Sequence, residues 1–402
     1  MSQPNQQVHP EDFDDHKSWI WIDAHYSKSI QDLRLKYGLE RPYFSWISQI
    51  DARRKYAKKF GPLLMNKWIF PTGLPLEQSS SWATAAFKAS LVRTPYSIDL
   101  CAGMGVDSYA LSTRMGVQKH WANELNEELA QLLKHNLPDV NISNAPAEEL
   151  MKELEQWKKE HKISAEALTI YVDPDRRANG NKAHSIDDTV PHLPSLQSHW
   201  LECAHTLLSK HSPMASLEEL KQLQACALIY VVEYQGECKE LLCLQQKGHT
   251  DPPSIEIIVL ASDEKTTSVQ HRVETSDHFQ LELATNTAKF LIQPGPALSK
   301  SEGHVGLLGG IMRAKKMVTG NLYTIDQEPV PSELYVRYEV IEVAKPYKLK
   351  TRVEHAAVER IGFPEHPDTI RKKLKVKEGR ELKIFALKMG AQKQMILARR
   401  LD

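Results

Sequence analysis

The stretch Tyr96-Ser-Ile-Asp-Leu-Cys101 followed at once by Ala-Gly-Met-Gly-Val-Asp107 constrains the fold of this chain more than any other. An apolar run ending around an acid, then two glycines, then a helix-forming run over 107–114 reads as strand, tight turn and helix. Glycines at such a turn let backbone approach a ligand, and the helix that follows offers unpaired N–H groups at its start. The alternation continues with strand-like 118–123, helical 127–136, strand-like 140–143, helical 147–161 and the strongly β-like 167–172. Strands alternating with helices at this spacing imply βαβ units around a parallel sheet, an α/β domain of Rossmann-like type.

The flanks read differently. Residues 10–67 carry apolar side chains at helical spacing, among them Leu33, Tyr37 and Leu39, then Trp46, Ile47 and Ile50, which predicts a helical N-terminal region. Its basic run Arg53-Arg-Lys-Tyr-Ala-Lys-Lys59 is expected to be a solvated helix face. Pro71-Thr-Gly-Leu-Pro75 punctuates the chain, and Ser79-Ser-Ser81 stands where hydroxyls cap a helix over 82–90. After Met214, strands at 225–234, 240–245 and 255–261 follow with little between them, the pattern of a small α+β domain. The last segment predicts a strand over 335–343, helices over 347–360 and 368–374, and strands over 381–389 and 394–399.

With 402 residues the chain is too long for one ordinary core. Its 41% hydrophobic and 25% charged residues are those of a globular protein. The five cysteines, Cys101, Cys203, Cys226, Cys238 and Cys243, show no C-x-x-C spacing, which argues against a disulfide framework or a metal site and for a reducing compartment. No apolar run is long enough to span a bilayer and the first residues have no signal layout, so a cytoplasmic, membrane-free protein is expected. Net charge is zero, but residues 344–402 hold sixteen Lys/Arg against seven Asp/Glu. Such a local surplus is either a footprint for a polyanion or a solvated face.

Three positions fall where an open α/β sheet binds ligands, at the carboxyl ends of its strands. Asp99 precedes Gly103 and Gly105; Glu124 ends the second strand, where a carboxylate can accept from ribose hydroxyls; Asp173-Pro-Asp-Arg-Arg177 ends the fourth. A nicotinamide pyrophosphate would be repelled by Asp99, whereas the sulfonium and amino groups of S-adenosylmethionine would be neutralised by it. Asp173 is a candidate acceptor or base, and Arg176 and Arg177 can pair with phosphate or with Asp187 or Asp188. His211 and Ser212, in a run that closes the same edge, are further candidates.

Glu77-Gln-Ser-Ser-Ser-Trp-Ala-Thr, Ile98-Asp-Leu-Cys-Ala-Gly-Met-Gly-Val-Asp-Ser, Asn123-Glu-Leu-Asn-Glu-Glu-Leu and Val172-Asp-Pro-Asp-Arg-Arg together resemble bacterial class I methyltransferases with a C-terminal THUMP-like domain. The resemblance extends over nearly the whole chain, through Cys238-Lys-Glu-Leu-Leu, Arg360-Ile-Gly-Phe-Pro and Ile370-Arg-Lys-Lys-Leu-Lys. It implies a helical region (1–70), a methyltransferase domain (71–216), a ferredoxin-like α+β domain (217–332) and a basic THUMP-like α+β domain (333–402). It also implies S-adenosylmethionine as cofactor and RNA as partner, captured by the basic tail around Arg371, Lys372, Lys373 and Lys375. Asp99, Cys101, Gly103 and Gly105 match the first cofactor motif, Glu124 the ribose-binding acid, and Ser81 the hydroxyl that holds the methionine carboxylate.

Two departures stand out. Cys101 replaces the first glycine, and Pro146 replaces the acid that contacts adenine, leaving Glu148 or Asn144 as substitutes. Asp173, Pro174, Arg176 and Arg177 then form the acceptor motif, closer to the Asp-Pro-Pro-Arg of RNA uridine C5 methyltransferases than to an amino-methylating motif with an aromatic. Cys203 lacks the surroundings of that group's nucleophile and receives no role. A methyltransferase for a small-molecule or protein acceptor, and an RNA-binding protein with a degenerate pocket, remain the alternatives.

Overall fold

A computed structural model of the chain describes residues 7–38, 40–175, 185–261, 268–273, 281–317, 320–389 and 392–401. Two compact units divide it: Met1–Ile229 with Leu241–Pro253, and Tyr230–Glu240 with Ser254–Asp402.

In the first unit the strands are β1 (Tyr96–Asp99), β2 (Lys119–Asn123), β3 (Asn141–Ser143), β4 (Leu168–Val172), β5 (Thr206–His211), β6 (Cys226–Tyr234) and β7 (Glu237–Gln246), β6 ending and β7 beginning in the second unit. Their order is β3-β2-β1-β4-β5-β7-β6. Pairing is parallel from β3 to β5, as the alternation predicts, and β7 joins β5 antiparallel. Every residue of β4 is buried, as a central strand covered on both faces requires. Strand order reverses between β1 and β4, and at such a switch point the diverging connections leave a crevice beyond the carboxyl ends. The sequence pattern assigned 225–234 and 240–245 to a separate domain, but a parallel edge strand such as β5 leaves backbone donors and acceptors unpaired, and β7 takes them.

The helical leader packs Phe13, Ile22, Leu33, Phe44, Ile47 and Ile50 into one cluster with Ile69 and Leu132. Its basic run is more than a solvated face. Arg53 is buried and donates to the carbonyls of Leu64, Asn66 and Trp68, and Lys59 donates to those of Leu76 and Glu77. These bonds anchor the segment that leads into the serine-rich turn. There Ser81 caps the helix Trp82–Leu91, accepting from the Thr84 N–H at 3.3 Å.

Gly105 has φ +91°, and a Cβ added there would lie 2.4 Å from Leu133 Cδ2. The left-handed backbone disfavours an L side chain by about 1–2 kcal/mol, and overpacking adds about 1–3 kcal/mol. Gly105→Ala is therefore expected to lower the unfolding free energy by about 2–5 kcal/mol in chemical denaturation. Gly103→Ala, at φ +57° with no atom within 4 Å of the added Cβ, should lose only the backbone part. Equal losses at the two glycines would contradict this packing.

The second unit holds β8 (Ser254–Leu260), β9 (Val269–Arg272), β10 (Phe290–Pro294), β11 (Lys315–Lys316), β12 (Tyr323–Ile325), β13 (Tyr335–Ala344), β14 (Ala357–Ile361), β15 (Leu382–Met389) and β16 (Gln392–Arg400). β8 and β9 pair antiparallel. The others form a sheet in the order β11-β12-β10-β13-β16-β15-β14. Helix Pro367–Leu374 connects β14 to the parallel β15 and buries Ile370 against Phe363, Ile384 and Leu397. The helix expected over 347–360 does not form. Tyr347 has φ +60°, and the Glu342 carboxylate accepts the N–H groups of Lys350 and Thr351, so backbone donors a helix would use are taken locally. Its end becomes β14.

Among the described residues no helix is long and apolar enough to cross a membrane, and no group of three or more His, Cys, Asp or Glu residues could hold a metal ion.

Candidate active site

Adjacent strands β2, β1 and β4 end at Asn123, Asp99 and Val172, so Glu124, Asp99 and Asp173 come out at one edge of the sheet. The turn after β1 is held from both sides. Asp99, fully buried, accepts from the Cys101 N–H at 3.1 Å and from the Ser108 hydroxyl at 2.6 Å. Glu124 accepts from the Gly103 N–H at 2.6 Å with one oxygen and from the Asn126 N–H at 2.8 Å with the other. Asn126 in turn caps the helix Glu127–Asn136. A carboxylate offers about four lone-pair sites, so each retains accepting capacity.

The electrostatics follow from this crowding. Burial pushes the Asp99 carboxyl up to about 8, against the Ser108 hydrogen bond and helped by the nearby charge of Asp107. Burial also raises Glu124, opposed by the Asn126 and Gly103 N–H groups. The Cys101 thiol is driven well up, first by burial and then by the charges of Asp99, Asp173, Glu124 and Glu148. Asp99 and Glu124 thus hold the turn by its N–H groups, and Cys101 is held as a thiol there.

Beneath the turn lies a cluster that the pattern of residues did not announce. Lys88, fully buried, has its Nζ 3.2 Å from Asp107 Oδ1 and donates to Ser80 Oγ at 2.9 Å. Asp107 Oδ2 accepts from Ser80 Oγ at 2.9 Å and from Tyr171 Oη at 2.8 Å. Burial alone would raise Asp107, but Lys88, Lys210, Tyr171 and Ser80 outweigh it and hold the carboxyl below its usual range. The only local signal was a lysine and an acid on helix faces otherwise apolar. Their pairing depends on packing of the helices Trp82–Leu91 and Val106–Thr113.

Of the acceptor motif, Asp173 is one-third exposed and touches Lys210 of β5, Pro174 is buried, and Asp175 pairs with Val190 in an antiparallel bridge. Arg176 and Arg177 lie outside the described residues. His211, buried at the end of β5, shares a hydrogen bond with Ser209 Oγ at 2.8 Å, and Ser212 accepts from the Met214 N–H. After β3, Asn144 donates to the carbonyls of Glu124 and Leu125, so its amide N–H groups are committed to the loop, whereas Glu148 is exposed. Burial and Glu155 push the Cys203 thiol up to about 11, unlike an activated nucleophile.

Sheet order, switch-point crevice and glycine turn define a Rossmann-like methyltransferase fold, with a second sheet forming an additional α+β unit. A solved structure from Porphyromonas gingivalis W83, described as a "putative methyltransferase", is similar over 98% of this chain and 99% of its own, at 23% identity and a TM-score of 0.80. A protein of Agrobacterium tumefaciens described as a "predicted O-methyltransferase" matches 43% of this chain and 85% of its own, at 16% identity. Its TM-score of 0.28 is too low to bear on function. No protein-family profile matches the chain, and no curated protein does.

Proposed function

We propose that this protein is an S-adenosylmethionine-dependent methyltransferase acting on RNA. The observation that carries the cofactor is the glycine turn held through its N–H groups by the carboxyl groups of Asp99 and Glu124 at the carboxyl edge of the sheet. A ligand with a fixed positive charge is favoured by Glu124 and by the ionised form of Asp99, and the open space over Gly103 leaves room for one. When bound, the cofactor supplies an electrophilic methyl group on sulfonium sulfur. Asp99, Gly103 and Gly105 shape the turn; Glu124 receives the ribose, Glu148 the adenine side, and Ser81, at the start of its helix, the methionine carboxylate. Cys101 contributes packing as a neutral thiol. Asp173 and Pro174, with Arg176 and Arg177, form the acceptor side, where Asp173 takes a hydrogen bond from the atom to be methylated.

RNA as acceptor rests on the second unit. Arg371, Lys372, Lys375 and Lys377 line a cavity of about 370 Å³ with Asp368 and Val376. Arg371 is paired with Asp368 and Glu378, and Lys373 with Glu365, but Lys372, Lys375 and Lys377 are exposed and make no ion pair among the described residues. Such lysines supply salt-sensitive, sequence-independent affinity for a phosphate backbone. We read this part as the THUMP-like domain and the whole as cytoplasmic.

Calorimetry with S-adenosylmethionine and mass spectrometry of nucleosides from tRNA and rRNA of a deletion strain test the two halves. Binding that weakens at least tenfold in Glu124→Ala, and one methylated nucleoside missing from the deletion strain, are the expected results. No binding would refute the cofactor; a complete nucleoside set would refute RNA.

A further inference from the structure

We infer that Lys210 is a positioning residue for the acceptor site, fixing the Asp173 carboxylate so that one oxygen faces the incoming N–H or O–H group. The inference rests on the methyltransferase reading above.

The placement begins in the sheet. β4 and β5 run parallel with Val172 opposite Ser209, so the next residues along, Asp173 and Lys210, stand side by side at the carboxyl edge. Lys210 Nζ contacts Asp173 Oδ2, and its side chain is 14% exposed against 33% for the acid. Asp173 Oδ1 carries no hydrogen bond among the described residues. Lys210 also helps to hold down the carboxyl of Asp107, a member of the buried Ser80–Lys88–Asp107–Tyr171 cluster. Lys88 serves Asp107 from below; Lys210 is the cation in contact with Asp173. Among the described residues, Asp173 also acts electrostatically on Asp99 from β1 and on Cys101 from the turn. Without Lys210, no side chain among the described residues holds Asp173 Oδ2, and the carboxylate loses the contact that fixes which oxygen faces outward.

The test uses the full chain, with methyl transfer from labelled cofactor to total RNA of the deletion strain, a double-mutant cycle with Asp173→Asn, and calorimetry with S-adenosylmethionine. In Lys210→Gln kcat should fall at least about tenfold with cofactor affinity changed less than about threefold, and Lys210→Arg should restore it. Added to Asp173→Asn, Lys210→Gln should cost less than about twofold more, because the residue it positions is already gone. Equal kcat losses for Lys210→Gln in the two backgrounds, or an unchanged kcat in a folded Lys210→Gln protein that still binds cofactor, overturns the inference. A wild-type protein that binds no cofactor overturns instead the reading on which it rests.

Discussion

Replacing Lys88 with methionine is expected to cost the first unit about 3–5 kcal/mol of unfolding free energy, because it leaves the buried Asp107 carboxylate without its direct cation. Tyr171 and Ser80 still donate to Asp107, yet two neutral hydroxyls do not replace an ammonium 3.2 Å away in a site closed to water. The double replacement Lys88→Met with Asp107→Leu should recover a large part of the loss, since two apolar side chains leave no unpaired charge. Urea denaturation of the four proteins in a double-mutant cycle reads this directly. A loss below about 1 kcal/mol in Lys88→Met, the size of an exposed pair, would mean that the cluster is solvated.

The second large effect concerns binding. Affinity for S-adenosylmethionine should rise as pH increases from 6 towards 8, by at most about tenfold per unit, while affinity for S-adenosylhomocysteine rises less. Burial holds the Asp99 carboxyl at about 8, so below that pH the site takes up a proton that a nearby fixed positive charge would expel. S-adenosylhomocysteine shares the amino-acid and adenosine parts and lacks the methyl group and with it the sulfonium charge, so the pH dependence of the ratio of the two affinities isolates the Asp99 contribution. Asp99→Asn should flatten that ratio. Stability has the opposite sign. Asp99 is raised in the folded state, so its contribution is complete below its ordinary 3.8 and is lost progressively as pH rises to about 8; Asp99→Asn should remove that fall. A ratio independent of pH in the unmodified protein would show that the sulfonium does not sense Asp99.

The α/β class, the helical leader and most elements of the first unit were legible because the cues are local: apolar periodicity, glycines at a turn, serines at a helix start. The helix Glu127–Asn136 is read directly from the sequence. Where a cue was absent or ambiguous the reading failed. The run 347–360 has helical composition, but Glu342 binds its backbone from outside the window. The strands β6 and β7 look like any hairpin, and only the unpaired edge of β5 recruits β7.

At the site the same division holds. Asp99, Gly103, Glu124 and Asp173 could be named from their positions at strand ends, because chain order alone puts strand ends of a parallel sheet on one edge. The cluster of Ser80, Lys88, Asp107 and Tyr171, and the pairing of Lys210 with Asp173, could not. Tyr171 and Asp107 are 64 residues apart, and Lys210 and Asp173 are 37 apart. Charge pairing over such separations depends on which helix packs against which strand and on strand register, and a short-range pattern contains neither. The sequence by itself determined where the acids and glycines of the turn would lie. Only the tertiary structure decided which of those acids has a counter-ion, since desolvation and a cation within 4 Å are properties of packing.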